Sequence, residues 1–337
     1  MKCDIVIPVW NQLELTRDCI DSISKNTADM DYRIIVVDNA SNDETKRYLE
    51  GLNSVLGQRI LLVRNENNLG FVKAANQGMR LSDAPYVCLL NNDAVTTNGW
   101  LGELIRVAES SSTIGIVNPS SNTMGQKPGK GVPIDEYAQS VKSGPREWEE
   151  LGSAIGFCML IKRELIKRIG VFDEIYGMGN FEDTDYCRRA IKEGYLCVRA
   201  LSSYVYHREG TSFGRDEVFN ENFERNRQIY EFRWGKRRWI AYVIPSFDEG
   251  MMRLLERDIM PEARKGLWIW CFSDKRVGLP RHSNIIQVIY AKHFYLKALW
   301  KLLTRKKHFS EIFVTNEGFA NVLKRLSFIH KAKVYQY

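Results

Sequence analysis

The residues of this 337-residue chain that could do chemistry stand where apolar segments end. Asn91, Asn92 and Asp93 follow one apolar run, and Asp38 closes an earlier one. A carboxylate among polar side chains at the edge of a sheet suits a hard divalent cation that keeps positions for phosphate oxygens. A simple turn is the alternative for Asp93, because Asn and Asp favour turns. Asp38 could accept a hydrogen bond from a base or a ribose, or form an Asx turn before the next helix.

The second candidate is the acidic start of a helix that the apolar spacing predicts over 181–193. Its first turn carries Glu182, Asp183 and Asp185. Helical spacing places Asp183 at the edge of an otherwise apolar face, where it could act as a base. The alternative is that all three acids stabilise the helix N-terminus by about 0.3–1 kcal/mol each. Asp185 is predicted to form an ordinary surface pair with Arg188 or Arg189.

His207 ends an apolar run and precedes a polar segment. It could bind a metal or a diphosphate, or satisfy a backbone carbonyl. The four other histidines lie in the C-terminal tail without paired spacing. No GxGxxG and no GxxxxGK[ST] motif follows any predicted strand, which argues against a dinucleotide-binding or P-loop protein.

Alternating strand-like and helix-like segments must position these residues. The sequence predicts an α/β fold, with a mixed, mostly parallel sheet covered by helices on both faces. Ligands of such sheets bind outside the carboxyl ends of the strands, where the polar residues stand. Asn11 is the expected N-cap of the first helix, with Glu14 as its capping-box partner. The polar stretch 119–150 is typical of a long functional loop.

The charge distribution predicts two regions, one domain over 1–235 and a basic region over 236–337. Residues 233–337 hold 21 Lys and Arg against 8 Asp and Glu, although the whole chain carries a net charge of only +7. The tail could be a helical appendage, a platform for a membrane surface or a lipid-linked acceptor, or part of a second α/β domain. The segment 284–303 is predicted to be helical. Nucleic acid is not expected as a partner.

Seven cysteines, an odd number without CxxC pairs, predict reduced thiols. No apolar run reaches the roughly 18–20 residues that a membrane span needs. We therefore expect a cytoplasmic protein, with peripheral contact to the inner face of the membrane as an option.

Seven segments in this order resemble the large inverting glycosyltransferase family numbered two, which has the GT-A fold. They are VIPVWN at 6–11, VVDNASND at 36–43, NENNLGFVKAANQG at 65–78, LLNNDA at 89–94, IGFCMLIKRELIKRIGVFDE at 155–174, FEDTDYCRRAIKEGY at 181–195 and YHREGTS at 206–212. The resemblance covers about residues 1–235. Asn91 replaces the first acid of the usual Asp-x-Asp triplet, as in the rhamnosyltransferase-like branch.

The resemblance implies transfer of a sugar from a UDP- or dTDP-linked donor to a hydroxyl of a glycan, lipid-linked or protein acceptor, in surface polysaccharide or glycan assembly. It implies a nucleotide-sugar pocket formed by Pro8, Trp10, Asn11, Asp38, Asn39, Ser41, Asn68, Gly70, Asn76, Asn91 and Asn92. Asp93 would bind Mn²⁺ or Mg²⁺, and His207 would support the metal or the diphosphate.

The remaining implied roles concern the acceptor. Asp183, from the Glu182–Asp183 pair, would be the general base, and Gly156, Phe172 and Asp173 would border the acceptor site. The cation would neutralise the leaving diphosphate while Asp183 takes the acceptor proton, so that one displacement inverts the anomeric carbon.

Two other functions stay open. The first is a non-catalytic nucleotide- or glycan-binding module on the same fold. The second is a nucleotidyltransferase, which would need a glycine-rich, basic phosphate loop after the first strand, where this chain has Pro8-Val9-Trp10-Asn11-Gln12.

Overall fold

A computed structural model describes residues 3–142, 147–208, 217–245 and 249–337. The chain divides into two compact units. The first comprises residues up to 149 together with 153–233, and the second comprises 150–152 together with 234–337.

The first unit is built from strands and helices that alternate along the chain. They are β1 (Cys3–Val9), α1 (Leu13–Asn26), β2 (Tyr32–Asp38), α2 (Asp43–Leu56), β3 (Ile60–Arg64), α3 (Phe71–Leu81), β4 (Tyr86–Leu90), β5 (Ala94–Thr96), α4 (Trp100–Glu109), β6 (Ile114–Ser120), α5 (Ile134–Lys142), β7 (Trp148–Glu150), β8 (Cys158–Lys162), α6 (Arg163–Ile169), α7 (Glu182–Lys192), β9 (Leu196–His207) and α8 (Glu217–Trp234).

These strands form one mixed sheet in the order β3-β2-β1-β4-β8-β6-β9-β5, with β7 paired to β9. Strands β1–β4 pair in parallel, and β8 runs antiparallel between β4 and β6. Strands β1, β2 and β4 are almost wholly buried, as expected of a sheet covered on both faces. The predicted α/β fold with a mostly parallel sheet is confirmed. The carboxyl ends of β1, β2 and β4 therefore bring their polar corners to one edge.

The start of α1 differs from the prediction. Asn11 and Gln12 both have left-handed backbones, with φ of 57° and 60°, and no side chain caps the helix. The Asn11 side chain instead accepts a hydrogen bond from the backbone N–H of Asn42 (2.8 Å), and the Asn11 N–H donates to the Ser41 hydroxyl (2.8 Å). The Asn11 side chain thus bonds to a residue 31 positions away and does not cap α1. In this way Asn11 joins the turn after β1 to the turn after β2.

The second unit is also an α/β unit. Its elements are β10 (Trp239–Val243), α9 (Glu249–Arg264), β11 (Trp268–Ser273), β12 (Ile285–Ile289), α10 (Phe294–Thr304), β13 (Glu311–Val314), α11 (Glu317–Arg325), α12 (Ser327–His330) and β14 (Lys333–Gln336). All five strands pair in parallel, in the order β12-β11-β10-β13-β14. Helices α10 and α11 contribute to one apolar cluster and α9 to another.

The helix predicted over 284–303 is wrong in its first half. Residues 285–289, with the sequence IIQVI, form strand β12, and α10 begins only at Phe294. The β-branched residues of this run favour a strand, and β11 supplies its backbone partners at the edge of the sheet. The tail therefore has a parallel sheet, and a purely helical appendage does not describe it.

All seven cysteines are buried, and none of them forms a disulfide. Among the described residues, no helix has both the length and the apolar character that crossing a membrane requires.

Candidate active site

The corner after β2 is organised around a buried ion pair. Asp38 is 1% exposed and is paired with the guanidinium of Arg64, which ends the neighbouring strand β3. The other carboxylate oxygen accepts the backbone N–H of Ser41 at 2.9 Å, and Arg64 also donates to the Ser41 carbonyl at 2.9 Å. The orientation of Asp38 is thus set before any ligand binds.

Asn39 ties this corner to the segment before α3. Its amide donates to Asn68 Oδ1 at 2.7 Å, and its oxygen accepts the backbone N–H of Leu69 at 3.0 Å. Asn68 in turn accepts the N–H of Gly70 at 2.9 Å. Gly70 has φ +84°, and a side chain there would lie only 3.0 Å from the carbonyl oxygen of Gly177. Asn39 and Asn68 therefore shape this corner through bonds to the protein.

The other residues predicted for the nucleotide pocket differ in how far they are buried. Pro8 lies half-buried near the end of β1, and Trp10 beside it is 49% exposed. Asn76 is fully buried, and its side chain holds both the N–H and the carbonyl of Phe172, each at 2.9 Å. Asn92 is buried and donates to Thr16. Asn76 and Asn92 thus have their side-chain amides bonded within the protein.

The corner after β4 brings together two of the predicted metal-site residues. His207 Nε2, at the end of β9, lies 3.0 Å from Asp93 Oδ1. The backbone of His207 is held by Asn122, which accepts its N–H and donates to its carbonyl, each at 2.8 Å. The ring stacks on Phe157 with centroids 4.8 Å apart. These contacts position the histidine against the carboxylate.

This corner fits a divalent cation by its chemistry. Asn91 Oδ1 is buried and accepts no hydrogen bond from any described residue. Together with Asp93 and His207 it offers two oxygen ligands and one nitrogen, which suits a cation that takes its remaining ligands from phosphate and water. Within the described part of the chain, no three His, Cys, Asp or Glu side chains cluster as a complete metal cage. The three donors would leave the remaining positions of a cation to water or phosphate oxygens.

The predicted base lies at the start of α7. Asp183 Oδ2 accepts the backbone N–H of Gly156 at 2.9 Å, and its Oδ1 accepts the N–H of Thr184 at 2.6 Å. Glu182 is 5% exposed, and its Oε2 accepts no hydrogen bond from the described residues. A side chain at position 156 would lie 3.4 Å from the Asp183 Cβ, so the glycine leaves room beside both carboxyl groups.

Burial raises the pKa of both carboxyl groups above that of an exposed acid. Burial, reinforced by the neighbouring Asp183, raises the pKa of Glu182 to about 8. Burial also raises the pKa of Asp183, while the hydrogen bonds from Gly156 and Thr184 oppose that rise. Glu182 is thus the protonated member of the pair near neutral pH, and Asp183 holds the hydrogen bonds that favour a carboxylate.

The turn before α7 is strained and held from outside. Asn180 and Phe181 both have left-handed backbones, with φ of 75° and 74°, which costs about 1–3 kcal/mol per residue. Asn226 of α8 is 1% exposed and donates to the carbonyls of Tyr176 and Gly179, both at 2.8 Å. A buried amide on a remote helix therefore keeps the turn in the conformation that presents Glu182 and Asp183.

A three-residue segment, 155–157, links the carboxyl pair to the corner formed by Asn91, Asp93 and His207. Gly156 donates to Asp183, and the carbonyl of the next residue, Phe157, accepts the N–H of Asn91 at 2.8 Å. The Phe157 ring stacks on His207. Asn118 fixes the start of this segment, accepting the N–H of Ile155 at 2.7 Å and donating to its carbonyl at 3.0 Å. The segment 155–157 therefore contacts both the Glu182–Asp183 pair and the corner of Asn91, Asp93 and His207.

The predicted acceptor-side residues divide between two roles. Gly156 donates to Asp183, the predicted base, whereas Phe172 is buried against Tyr186 with ring centroids 5.2 Å apart. Asp173 accepts from Arg233 at 2.9 Å, at the surface end of an ion cluster. Phe172 therefore belongs to the interior, and Asp173 already has a charged partner.

The same cluster corrects the surface pair predicted for Asp185. Asp185 is fully buried and accepts hydrogen bonds from Arg189 at 2.9 Å and from Arg233 at 2.8 Å. Arg233 comes from the end of α8, 48 residues further along the chain, so helical spacing could not indicate it. The cluster fastens α8 to the face of α7 behind the base.

An open cleft of about 590 Å³ adjoins His207. Its wall includes Lys127, Val132, Ile134, Tyr206 and Arg208. Residues of the polar 119–150 stretch thus line a space next to His207. Positive and apolar groups are mixed along its wall.

Sequence reasoning missed several residues that hold the site together: Arg64, Asn118, Asn122, Asn226 and Arg233. Each acts through partners far away in the chain, so no local pattern marks it. Helix α8 carries three asparagines, Asn220, Asn222 and Asn226, although Asn is a poor helix former, but the sequence does not distinguish Asn226 from the other two.

Comparisons with known proteins agree with this arrangement. Two solved structures share the fold: Staphylococcus aureus TarS 1–349 in complex with UDP-GlcNAc, and GalNAc-T7 with UDP, GalNAc and Mn²⁺. TarS superposes with a TM-score of 0.52 at 17% identity, covering 76% of this chain and 72% of TarS. GalNAc-T7 gives 0.54 at 15% identity, covering 68% and 48%. The mixed sheet of the first unit therefore has the GT-A fold.

Residues 4–170 match the profile of the family described as Glycosyl transferase family 2. This segment is a domain of the Glycosyl transferase family 2 type, and it has the GT-A fold.

Relatives with curated names are distant. Glycosyltransferase AglE of Haloferax volcanii is 23% identical over 193 residues, covering 57% of this chain and 62% of AglE. Poly(ribitol-phosphate) beta-glucosyltransferase of Bacillus spizizenii is 26% identical over 232 residues, covering 66% and 35%. Protein y4gI of Sinorhizobium fredii is 24% identical over 294 residues, covering 80% and 31%. The chain thus spans less than two thirds of the length of each of these relatives.

Proposed function

We propose that this chain is an inverting, metal-dependent glycosyltransferase that moves a sugar from a UDP- or dTDP-linked donor to an acceptor hydroxyl. The observation that carries the proposal is the segment 155–157, which places a hydrogen-bonded carboxylate, Asp183, next to the Asn91, Asp93 and His207 corner. A base for the nucleophile beside a site for a diphosphate is what glycosyl transfer needs. Asn91 stands where the Asp-x-Asp triplet has its first acid, and this replacement supports assignment to the rhamnosyltransferase-like branch.

The donor side rests on the corners after β1 and β2. Asp38, fixed by Arg64 and the Ser41 backbone, presents an acceptor for a base or ribose group. Asn11, Ser41 and Gly70 complete this edge, and the half-exposed Trp10 offers an aromatic face beside it. The UDP-containing complexes of TarS and GalNAc-T7 support a nucleotide diphosphate as the leaving group.

Asp93, His207 and the Asn91 side-chain oxygen would hold Mn²⁺ or Mg²⁺. A cation bound there supplies positive charge to the departing diphosphate. The Mn²⁺ in the GalNAc-T7 structure supports this assignment.

Asp183 takes the proton of the acceptor hydroxyl as that oxygen attacks the anomeric carbon. The new carbon–oxygen bond forms while the bond from the anomeric carbon to the diphosphate oxygen breaks, and the electron pair leaves with the nucleotide. Because the pKa of Asp183 is raised by burial, its carboxylate is a stronger base than an exposed aspartate. Protonated Glu182 adds no second negative charge at this point, so it does not oppose approach of the acceptor oxygen.

The cleft beside His207 is our candidate for part of the acceptor site. Lys127 on its wall favours a glycan that carries negative charge, whereas the charge of Arg208 is paired with Asp18 at 2.6 Å. The relationship to a poly(ribitol-phosphate) glucosyltransferase supports a role in the assembly of a surface polysaccharide or a related glycan.

A donor panel tests the proposal. Binding and hydrolysis of UDP-, dTDP- and GDP-sugars are measured with Mn²⁺, Mg²⁺ or EDTA, for the wild type, Asp93→Ala and the exposed-turn control Asp29→Ala. We expect metal-dependent binding of one UDP- or dTDP-sugar that Asp93→Ala weakens at least tenfold and Asp29→Ala leaves intact. Failure of the folded wild type to bind any donor under any metal condition would instead favour the non-catalytic module.

A further inference from the structure

The second unit exposes large apolar side chains on three of its helices. Trp300 and Leu296 of α10 are 71% and 69% exposed, and Phe328 of α12 is 74% exposed. Val322 of α11 and Ile329 of α12 are exposed by 42% and 39%. We call these five residues the apolar patch. Exposed apolar groups of this size, gathered on neighbouring elements, commonly mark an interaction surface.

The patch lies on the outer side of a helical layer. Helix α10 buries Phe294, Ala298 and Leu302 in the core beneath it, whereas Leu296 and Trp300 stand on its opposite side. Helix α12 contacts both α10 and α11, and α11 buries Phe319, Ala320 and Leu323 in the same core. The apolar patch is therefore the surface that this layer turns away from its own sheet.

Positive charge is concentrated around the apolar patch. Residues 291–333 hold ten Lys and Arg against two Asp and Glu, so this segment carries +8 while the whole chain carries +7. Helix α10 has no acidic residue, and it is followed by Arg305, Lys306 and Lys307. Lys306 and Lys307 are exposed.

Several of these cations are held in place by aromatic rings. The Arg305 guanidinium lies 4.5 Å from the centre of the Trp270 ring, and Lys301 lies 5.5 Å from the same ring. Lys297 lies 5.9 Å from the ring centre of Tyr290. Contacts of this kind orient a cation without cancelling its charge. These cations thus lie along the flank of α10 nearer the sheet, and together with the exposed Lys306 and Lys307 they form the basic border of the patch.

We propose that the apolar patch and its basic border bind the surface of an anionic lipid bilayer. Trp300, Leu296 and Phe328 enter the boundary between head groups and acyl chains, and the surrounding Lys and Arg side chains face anionic head groups. Tryptophan and lysine beside exposed leucine and phenylalanine are the composition of interfacial helices. Basic clusters beside such helices are attracted to anionic lipid. This proposal is independent of the donor and acceptor assigned above.

A second copy of the chain is a less favourable occupant. Two such surfaces meeting face to face would bring two segments of charge +8 together, and like charges across an interface are strongly unfavourable. An anionic bilayer satisfies both the apolar and the charged part of the surface.

Vesicle flotation with the full chain tests the proposal, in the absence of any nucleotide sugar. The vesicles contain phosphatidylcholine alone or phosphatidylcholine with phosphatidylglycerol. We expect binding only to the phosphatidylglycerol vesicles, weakened by added salt. The variant Leu296→Ser/Trp300→Ser should lower the bound fraction about tenfold or more, and Lys306→Glu/Lys307→Glu should lower it and reduce its salt dependence.

The matched control is Phe232→Ser, which removes a 95% exposed aromatic ring from α8 of the first unit. It should bind vesicles like the wild type. Donor binding by each variant checks that the first unit is folded, and the circular dichroism spectrum checks the whole chain.

The proposal is overturned if the wild type does not bind phosphatidylglycerol vesicles, or if Phe232→Ser lowers binding as much as the patch variant. It is also overturned if sedimentation shows a dimer that Leu296→Ser/Trp300→Ser dissociates, since the patch would then belong to a second copy.

Discussion

Replacement of Asp183 by asparagine removes the proposed base with the smallest change of shape. Both oxygens of this carboxylate face backbone donors, the N–H of Gly156 at 2.9 Å and the N–H of Thr184 at 2.6 Å. An amide has one oxygen, so in either orientation its NH₂ group faces one of these donors. The unsatisfied contact costs about 1–3 kcal/mol. Relief of the buried negative charge offsets part of that cost, so we expect a folded protein with a modestly lower melting temperature.

The expected effect on activity is much larger than the effect on folding. An amide cannot take the acceptor proton, and loss of a positioned base typically lowers the rate by about 10²–10⁴-fold. Turnover is measured as sugar transfer with saturating donor, beside the dissociation constant of the donor and the melting temperature. The donor affinity should change less than threefold, because Asp183 faces the acceptor in our mechanism. Asp29→Asn, at an exposed position, is the control.

The pH dependence gives a second measure of the same assignment. Because the pKa of Asp183 is raised by burial, the acid limb of kcat/KM should lie above the ordinary range of an aspartate, with activity falling as the pH drops through that pKa. The reasoning is refuted if folded Asp183→Asn keeps more than a tenth of the wild-type turnover, or if its acid limb is unchanged.

Three further changes probe the framework of the site. Glu182→Gln should flatten the pH dependence of the free energy of unfolding: in the wild type, Glu182 contributes stability that is full below its ordinary pKa near 4.5 and is lost as the pH rises through about 8. Urea unfolding across this range measures it, and parallel curves for the two proteins would contradict the raised pKa. Asp185→Asn should lower the free energy of unfolding by about 1–3 kcal/mol, because Arg189 loses its buried acceptor while Arg233 keeps Asp173 as a partner. A loss below 1 kcal/mol would show that the cluster contributes little. Asn226→Ala should lower kcat without a matching change in donor affinity, since it releases the turn before α7. An equal loss in both quantities would point to a general structural defect.

The alternation of elements in the first unit could be predicted because apolar runs such as 33–38 end in polar turns, and parallel strands then share one edge. That placed Asp38 and Asp93 at the correct ends of β2 and β4. The start of α7 was equally visible, since its apolar residues recur at helical spacing.

Hydrogen bonds between distant parts of the chain could not be predicted. Asn76 holds Phe172, 96 residues away, and Asn226 holds Tyr176, 50 residues away. Asp185 looked like a surface acid because Arg189 is one helical turn away, but Arg233 from another helix closes over it. Local patterns report the face of a helix, whereas burial also depends on which element packs against that face.

The reactivity of the seven buried thiols can report when each unit of the protein opens. Six lie in the first unit, and Cys271 stands alone in β11 of the second. A thiol reagent can react with a buried cysteine only during a local or global opening. Mass spectrometry of partly labelled protein would therefore time the opening of the second unit through one site and that of the first through six. A cysteine added on the surface would react before all of them, which provides a selective attachment point for a fluorophore.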